Sequence, residues 1–273
     1  MVNNMVRKFA VVTTFNQSGY SHYGSKMIDT FLATWPKEVN LYVYAEDCAV
    51  LQLDPRLHVI DLNSAALDLV AFKKKWSQVP KAVGQVPKGP VDSRGKQHGI
   101  GFKWDAVRFS HKVYAIFHCA GTQPADWLLW MDGDTVCHST ISLAQLGKLC
   151  PQDRDLCFLG RNQKYSECGL YAMNLARPAM KTFLKLFQHY YDDAENGIFT
   201  LDEWHDSFVF DAVRKQCTLN ELDWSGNLIT GEGHPLINSE WGAYLDHLKG
   251  ARKDLKRSKL TDLKIKRTEE YWK

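Results

Sequence analysis

The stretch 127–136, "WLLWMDGDTV", constrains this chain most: five bulky apolar residues run without a break into Asp132-Gly133-Asp134. Strand side chains alternate between two faces, so a strand that is apolar at every position must be covered on both. That is the situation of an interior strand in a sheet with helices above and below. The run 9–16, "FAVVTTFN", reads as a first buried strand, and 39–47 and 57–62 as a second and third. Between the first two, a Gly/Ser loop gives way to a helix carrying Met27, Ile28, Phe31 and Leu32, stopped before Pro36. Strand, helix, strand in this order predicts a βαβ unit and a mostly parallel α/β sheet flanked by helices.

Further along, Phe102, Ala106, Phe109, Val113 and Phe117 recur at helical spacing and predict a helix over 102–121. Strands are predicted at 155–161 and 168–174, and helices at 178–193 and 203–217. The stretch 73–101 is rich in Lys, Pro and Gly, has no apolar period, and reads as a long surface loop. Nothing repeats and no break in composition marks a second domain, so 1–253 is expected to form a single unit with a less regular C-terminal part. A basic tail, 254–273, follows. From Lys249 to Lys273, ten basic residues against four acidic ones leave +6, while the whole chain carries only +3. The tail is expected to be solvated, with a peripheral contact to an acidic membrane surface as its functional reading. The small overall charge gives no reason to expect nucleic acid.

Seven cysteines, an odd number with no C-x-x-C pair, argue against a disulfide framework and for a reducing compartment. With no long apolar leader or span in the sequence, a soluble cytoplasmic protein is expected.

Two aspartates beyond the end of a buried strand lie where open α/β sheets bind ligands. They can offer hard oxygen ligands to Mg²⁺ or Mn²⁺, and Gly133 has no side chain to block a diphosphate. Asp153 and Asp155 show the same spacing but lie in a polar loop and read as turn residues. "DGDTV" also fits the opening motif of haloacid-dehalogenase-type phosphatases, in which Asp132 would be a nucleophile. That motif normally sits on the first strand, and the nearest later acidic pair, Asp192 and Asp193, follows no strand. A second motif lies at 247–253: His247, Gly250 and Lys253 form H-x-x-G-x-x-K. An imidazole can complete a metal site, a glycine lets backbone N–H groups approach phosphate, and a lysine adds positive charge on a leaving phosphate.

With both motifs in hand, the chain resembles metal-dependent glycosyltransferases of the GT-A fold, most of all the family-8 retaining enzymes related to glycogenin and bacterial galactosyltransferases. The resemblance implies a hexosyltransferase that takes a nucleotide-diphosphate sugar, of the UDP class, and delivers the sugar with retention to a carbohydrate, lipid-linked or protein acceptor. It implies Mn²⁺ or Mg²⁺ held by Asp132, Asp134 and His247, with Gly250 and Lys253 on the diphosphate. It places Thr14, Asn16 and Tyr20 at the nucleoside, and Lys103 with Arg108 at the donor. The family's Asn-Ala-Gly-like segment reads Glu167-Cys168-Gly169 here, leaving Gly169 as its match. The family's Asp-Gln pair reads Asp206-Ser207; Asp206 and Glu203 are the candidates to orient sugar or acceptor. A protein that keeps such a fold only to bind carbohydrate or nucleotide is the reading from another class.

Overall fold

In the computed structural model, residues 7–86, 100–226, 233–250 and 252–273 are described. Seven strands form the central sheet: β1 (Phe9–Asn16), β2 (Asn40–Glu46), β3 (Leu57–Asp61), β4 (Trp127–Met131), β6 (Leu156–Arg161), β7 (Lys164–Asn174) and β8 (Glu221–Asp223). Their order is β3-β2-β1-β4-β7-β6-β8, and β7 alone runs against the rest. The expected mostly parallel α/β sheet is therefore present. Two further strands, β5 (Thr135–Cys137) and β9 (Leu245–His247), make a separate antiparallel ribbon.

Period-two alternation splits the apolar residues between two cores. On β4, Leu128 and Trp130 enter one core, while Trp127, Leu129 and Met131 enter the other. The first core is closed by helices Leu67–Trp76, Ala106–Thr122, Pro178–Asp192 and Asp206–Arg214, through residues such as Phe72, Val113, Phe187 and Phe210. The second is closed by helices Ser25–Thr34 and Leu143–Leu149, together with Leu236, Trp241 and Trp272. All five residues of β4 are buried, as an interior strand requires. The strand order reverses between β1 and β4, so their carboxyl ends flank a crevice of the kind in which doubly wound sheets take ligands.

Several expectations need correction. The segment after β1 is helical from its start: Asn16 accepts a hydrogen bond from the Gly19 N–H (2.8 Å), and turns at Gln17–Gly19 and Tyr20–Gly24 run directly into Ser25–Thr34. The stretch expected as a loop from 73 begins inside helix Leu67–Trp76, where Lys73, Lys74 and Lys75 occupy the last turn and meet the negative end of the helix dipole. A 3₁₀ turn at Pro80–Val83 follows, and 87–99 lies outside the described residues. The helix expected from 102 begins at Ala106, capped by Asp105, because Ile100–Trp104 forms its own 3₁₀ turn. β7 begins at Lys164, four residues earlier than expected.

The basic C-terminal segment is packed against the body of the protein. Ser258 and Trp272 are buried, the Trp272 indole N–H donates to the Gly242 carbonyl (2.7 Å), and Arg267 donates to the Ile237 carbonyl (2.8 Å). Composition suggested a solvated tail. What holds it down is a buried tryptophan and serine together with basic side chains such as Arg267 that donate to backbone carbonyls, none of which net charge registers.

Candidate active site

The turn after β4 aims Asp132 and Asp134 into the crevice. Its backbone is fixed by a hydrogen bond from the Asp132 N–H to the Gly169 carbonyl (2.8 Å) on β7. β5 leaves this turn and pairs with β9 so that Thr135 lies opposite His247, and the Leu248 N–H donates to the Asp134 carbonyl (2.9 Å). A residue more than a hundred positions later is thereby delivered to the acidic turn. His247 Nε2 lies 3.1 Å from Asp134 Oδ1 and 3.4 Å from Asp132 Oδ2. One donor atom from each of the three residues fits within 4.8 Å of the others. Two carboxylates and an imidazole edge converging on one point suit Mn²⁺ or Mg²⁺ in donor chemistry and in spacing.

Strand β9 is itself anchored by the C-terminal segment. The neighbouring Asp246 is fully buried, accepting from Ser258 through both its hydroxyl (2.6 Å) and its backbone N–H (2.7 Å), and from the Tyr271 hydroxyl (2.9 Å). Tyr271 also stacks on His138 at 4.1 Å. Residues that read as a tail thus help hold the strand that carries His247.

Electrostatics couple the three side chains into one charged cluster. Burial alone would lower the pKa of His247; the Asp134 charge, together with hydrogen bonds to Asp132 and Asp134, pushes it up to about 10. Burial alone would raise Asp132, but Lys112, then His247 and Trp130, hold it well below the usual carboxylate range. Asp134 is likewise held down, against burial, mainly by His247 and also by Lys253. Both carboxylates are ionised near neutrality, and the protonated imidazole stands in for the positive charge that a metal would bring.

A cavity of about 940 Å³ opens over this cluster. Thr14, Asn16, Arg108, Asp132, Asp134, Gly169, Asp206, His247, Gly250 and Lys253 all line it. Lys253 pairs with Asp134 (2.9 Å), and Gly250 takes a left-handed φ of 65°, which favours glycine. Gly133 lines the cavity too, but a Cβ there would lie 2.9 Å from the Phe15 ring, so the close approach that requires glycine is to Phe15.

Three candidates are absent from the lining. Tyr20 is buried, its hydroxyl donating to Gln52 (2.8 Å) and accepting from the Leu51 N–H (3.0 Å). Lys103 and Glu203 pair with each other, and Glu203 also bonds His205 (2.9 Å). Both therefore brace the wall behind His205.

Four residues that were not among the sequence candidates, Tyr23, Lys112, Glu46 and Glu167, line the cavity. Tyr23, one helical turn after Tyr20, faces the cavity with the Lys253 ammonium 4.5 Å from its ring centre. Lys112 is buried between Asp206 (2.7 Å) and Asp132 (3.3 Å) and also bonds the Cys168 carbonyl. Burial would lower its pKa, yet Asp132 and Asp206 raise it well above the ordinary value. A lysine on the apolar stripe of its helix, between Phe109 and Ile116, is a signal that could have revealed it. Glu46, at the end of β2, accepts from Thr14 (2.9 Å) and pairs with His111. Glu167 lies behind His247, paired with Arg161 and Lys249, which with burial opposing bring its pKa to about 2. As for the phosphatase reading, Asp192 bonds the Tyr114 hydroxyl (2.9 Å), and neither Asp192 nor Asp193 lines the cavity.

No protein-family model matches the chain, and no curated protein matches it. Among solved structures it is similar to the WbbM bifunctional glycosyltransferase (12% identity, 82% of this chain and 40% of that chain, TM-score 0.47). It is similar to the glycosyltransferase GlyE of Streptococcus pneumoniae TIGR4 (14% identity, 81% and 46%, TM-score 0.43). It is also similar to mouse xyloside xylosyltransferase 1 (11% identity, 76% and 82%, TM-score 0.44). The chain spans less than half the length of the first two. At these identities and TM-scores the functional reading rests on the site itself.

Proposed function

We propose that this chain is a metal-dependent glycosyltransferase of the GT-A type. In this reading it moves a sugar from a nucleotide-diphosphate sugar of the UDP class to an acceptor hydroxyl, with retention as in family-8 enzymes. The observation that carries the reading is the meeting of two distant motifs. Asp132 and Asp134 end a buried strand, and His247, Gly250 and Lys253 come from the far end of the chain, yet all five line one cavity at the sheet's switch point.

Asp132, Asp134 and His247 would hold Mn²⁺ or Mg²⁺, which when bound neutralises charge developing on the departing nucleoside diphosphate. Lys253 and the backbone at Gly250 are placed to add positive charge and N–H donors for that diphosphate. Thr14 and Asn16, at the end of β1, flank the side on which the nucleoside would lie. Asp206, held by Lys112 at the start of a helix, is the carboxylate best placed to orient the transferred sugar or the acceptor hydroxyl. Lys112 supplies the positive charge on the donor side that the sequence resemblance gave to Lys103.

The acceptor belongs to the carbohydrate, lipid-linked or protein classes. Seven free cysteines suit the reducing cytoplasm. Among the described residues no helix is long and apolar enough to cross a membrane. A peripheral membrane contact is proposed at the C-terminal segment, where Leu255 and Leu260 are exposed beside Lys256 and Lys259.

The test is hydrolysis of a panel of nucleotide sugars, with Mn²⁺ and with EDTA. Metal-dependent release of sugar and nucleoside diphosphate from one member is expected. Binding without turnover on any donor or acceptor would favour a pure binding protein. Release of phosphate from small esters, lost in Asp132→Asn, would favour the phosphatase.

A further inference from the structure

We propose that Glu167 is a positioning residue: its carboxylate fixes the ring of His247 with the proton on Nδ1, so that Nε2 faces the two aspartates. The proposal rests on the metal-site reading above.

The two nitrogens of this buried imidazole see different surroundings. Nε2 faces Asp134 and Asp132, whereas Nδ1 makes no hydrogen bond among the described residues and has Glu167 Oε1 3.7 Å away, a charge contact longer than a hydrogen bond. A carboxylate this close to one ring nitrogen favours the proton on that nitrogen, and Glu167 Oε1 is the oxygen that can receive it with a small adjustment of the ring. The carboxylate cannot easily swing aside. Its Oε2 is held by Arg161 and Lys249, and its Oε1 accepts from the Gly169 N–H (3.3 Å).

A second, independent observation is the slot in which the ring lies. A Cβ on Gly169 would sit 2.5 Å from His247 Cε1, 2.6 Å from Nδ1 and 3.2 Å from Glu167 Oε1. Any larger residue at 169 would push the ring and the carboxylate apart. Glu167 and Gly169, two positions apart on β7, therefore act together, one as the carboxylate beside Nδ1 and one as clearance. Glu167 is not itself one of the three clustered donors. It lies on the far side of the ring, where a carboxylate sets the tautomer of a metal-binding histidine and raises its basicity toward a cation.

Mn²⁺ binding to the wild type, Glu167→Gln and Glu167→Ala tests this by calorimetry at one pH. Loss of the acceptor in Glu167→Ala is expected to weaken Mn²⁺ binding about ten- to a hundredfold, with Glu167→Gln, whose amide oxygen can still accept, clearly tighter than Glu167→Ala. Glu167→Ala binding as tightly as the wild type would overturn the proposal. So would equal weakness in Glu167→Gln and Glu167→Ala, since charge alone would then account for the effect. A wild type that binds no Mn²⁺ removes the metal site and this proposal with it, and is distinguishable because no titration is then seen in any variant. One readout needs no variant to fold: ¹⁵N spectra of the His247 ring in the wild type with Mg²⁺. A proton on Nδ1 is expected; a proton on Nε2 would overturn the assignment.

Discussion

Each of the three clustered side chains is positioned by groups outside the cluster. Asp132 accepts from the Trp130 indole (2.7 Å) and from Lys112, Asp134 pairs with Lys253, and His247 fits the slot over Gly169. The elevated His247 pKa sets a pH dependence. A metal must displace the imidazole proton, while both carboxylates are already ionised. Mn²⁺ affinity is therefore expected to rise about tenfold per pH unit from pH ~7 to ~9, with about one proton released on binding. Calorimetry in buffers of different ionisation enthalpy reads both. The stability of the metal-free protein has the opposite sign. A histidine raised from 6.5 to about 10 stabilises the fold fully below pH 6.5, and that contribution is lost as pH rises through about 10. Thermal unfolding in EDTA should show this decline between those two values, and Mn²⁺ should reverse it. Gly169→Ala drives a Cβ into the ring and is expected to weaken Mn²⁺ binding at least about tenfold, read by the same titration.

At the scale of elements, the site depends on a three-residue ribbon. β9 brings His247 to β5, and Asp246 beside it is fastened by Ser258 and Tyr271 from the C-terminal segment. Trp272→Ala should lower the unfolding free energy by about 3–5 kcal/mol in urea denaturation, because a buried indole leaves a cavity. It should also weaken Mn²⁺ binding, since β9 loses its support. The central strands were legible because an unbroken apolar run such as "WLLWM" has few other uses. The two motifs were legible because their spacing carries chemistry. Lys112 and Tyr23 were missed for a shared reason. Helical period tells which residues share a face, but not which part of that face looks into the cavity, so Lys103 and Tyr20 were named while Lys112 and Tyr23, one or more turns away, line it. The packed C-terminal segment was hidden because net charge does not tell which of its basic residues, Arg267 among them, donate to the body of the protein, nor that Trp272, Tyr271 and Ser258 are anchored there.

Over the whole molecule, charge is distributed unevenly. The +6 from 249 to 273 faces a remainder of −3, and several of these cations are already committed: Lys253 to Asp134, Lys249 to Glu167 and Arg252 to Asp262. Lys256, Lys259, Lys264 and Lys266 are exposed, near Leu255 and Leu260. Vesicles containing about 30% phosphatidylserine should retain the protein at low salt and release it at high salt, at about 1 kcal/mol for each lysine near the surface. Equal co-sedimentation with neutral vesicles would argue against this contact. The central claim is that the two motifs form a single metal-and-diphosphate site, and binding of UDP tests it most directly. In calorimetry, UDP should bind the wild type in Mn²⁺, and binding should fall sharply in EDTA and in both Asp134→Ala and His247→Ala. UDP bound equally well with and without Mn²⁺, or unaffected by either substitution, would contradict it.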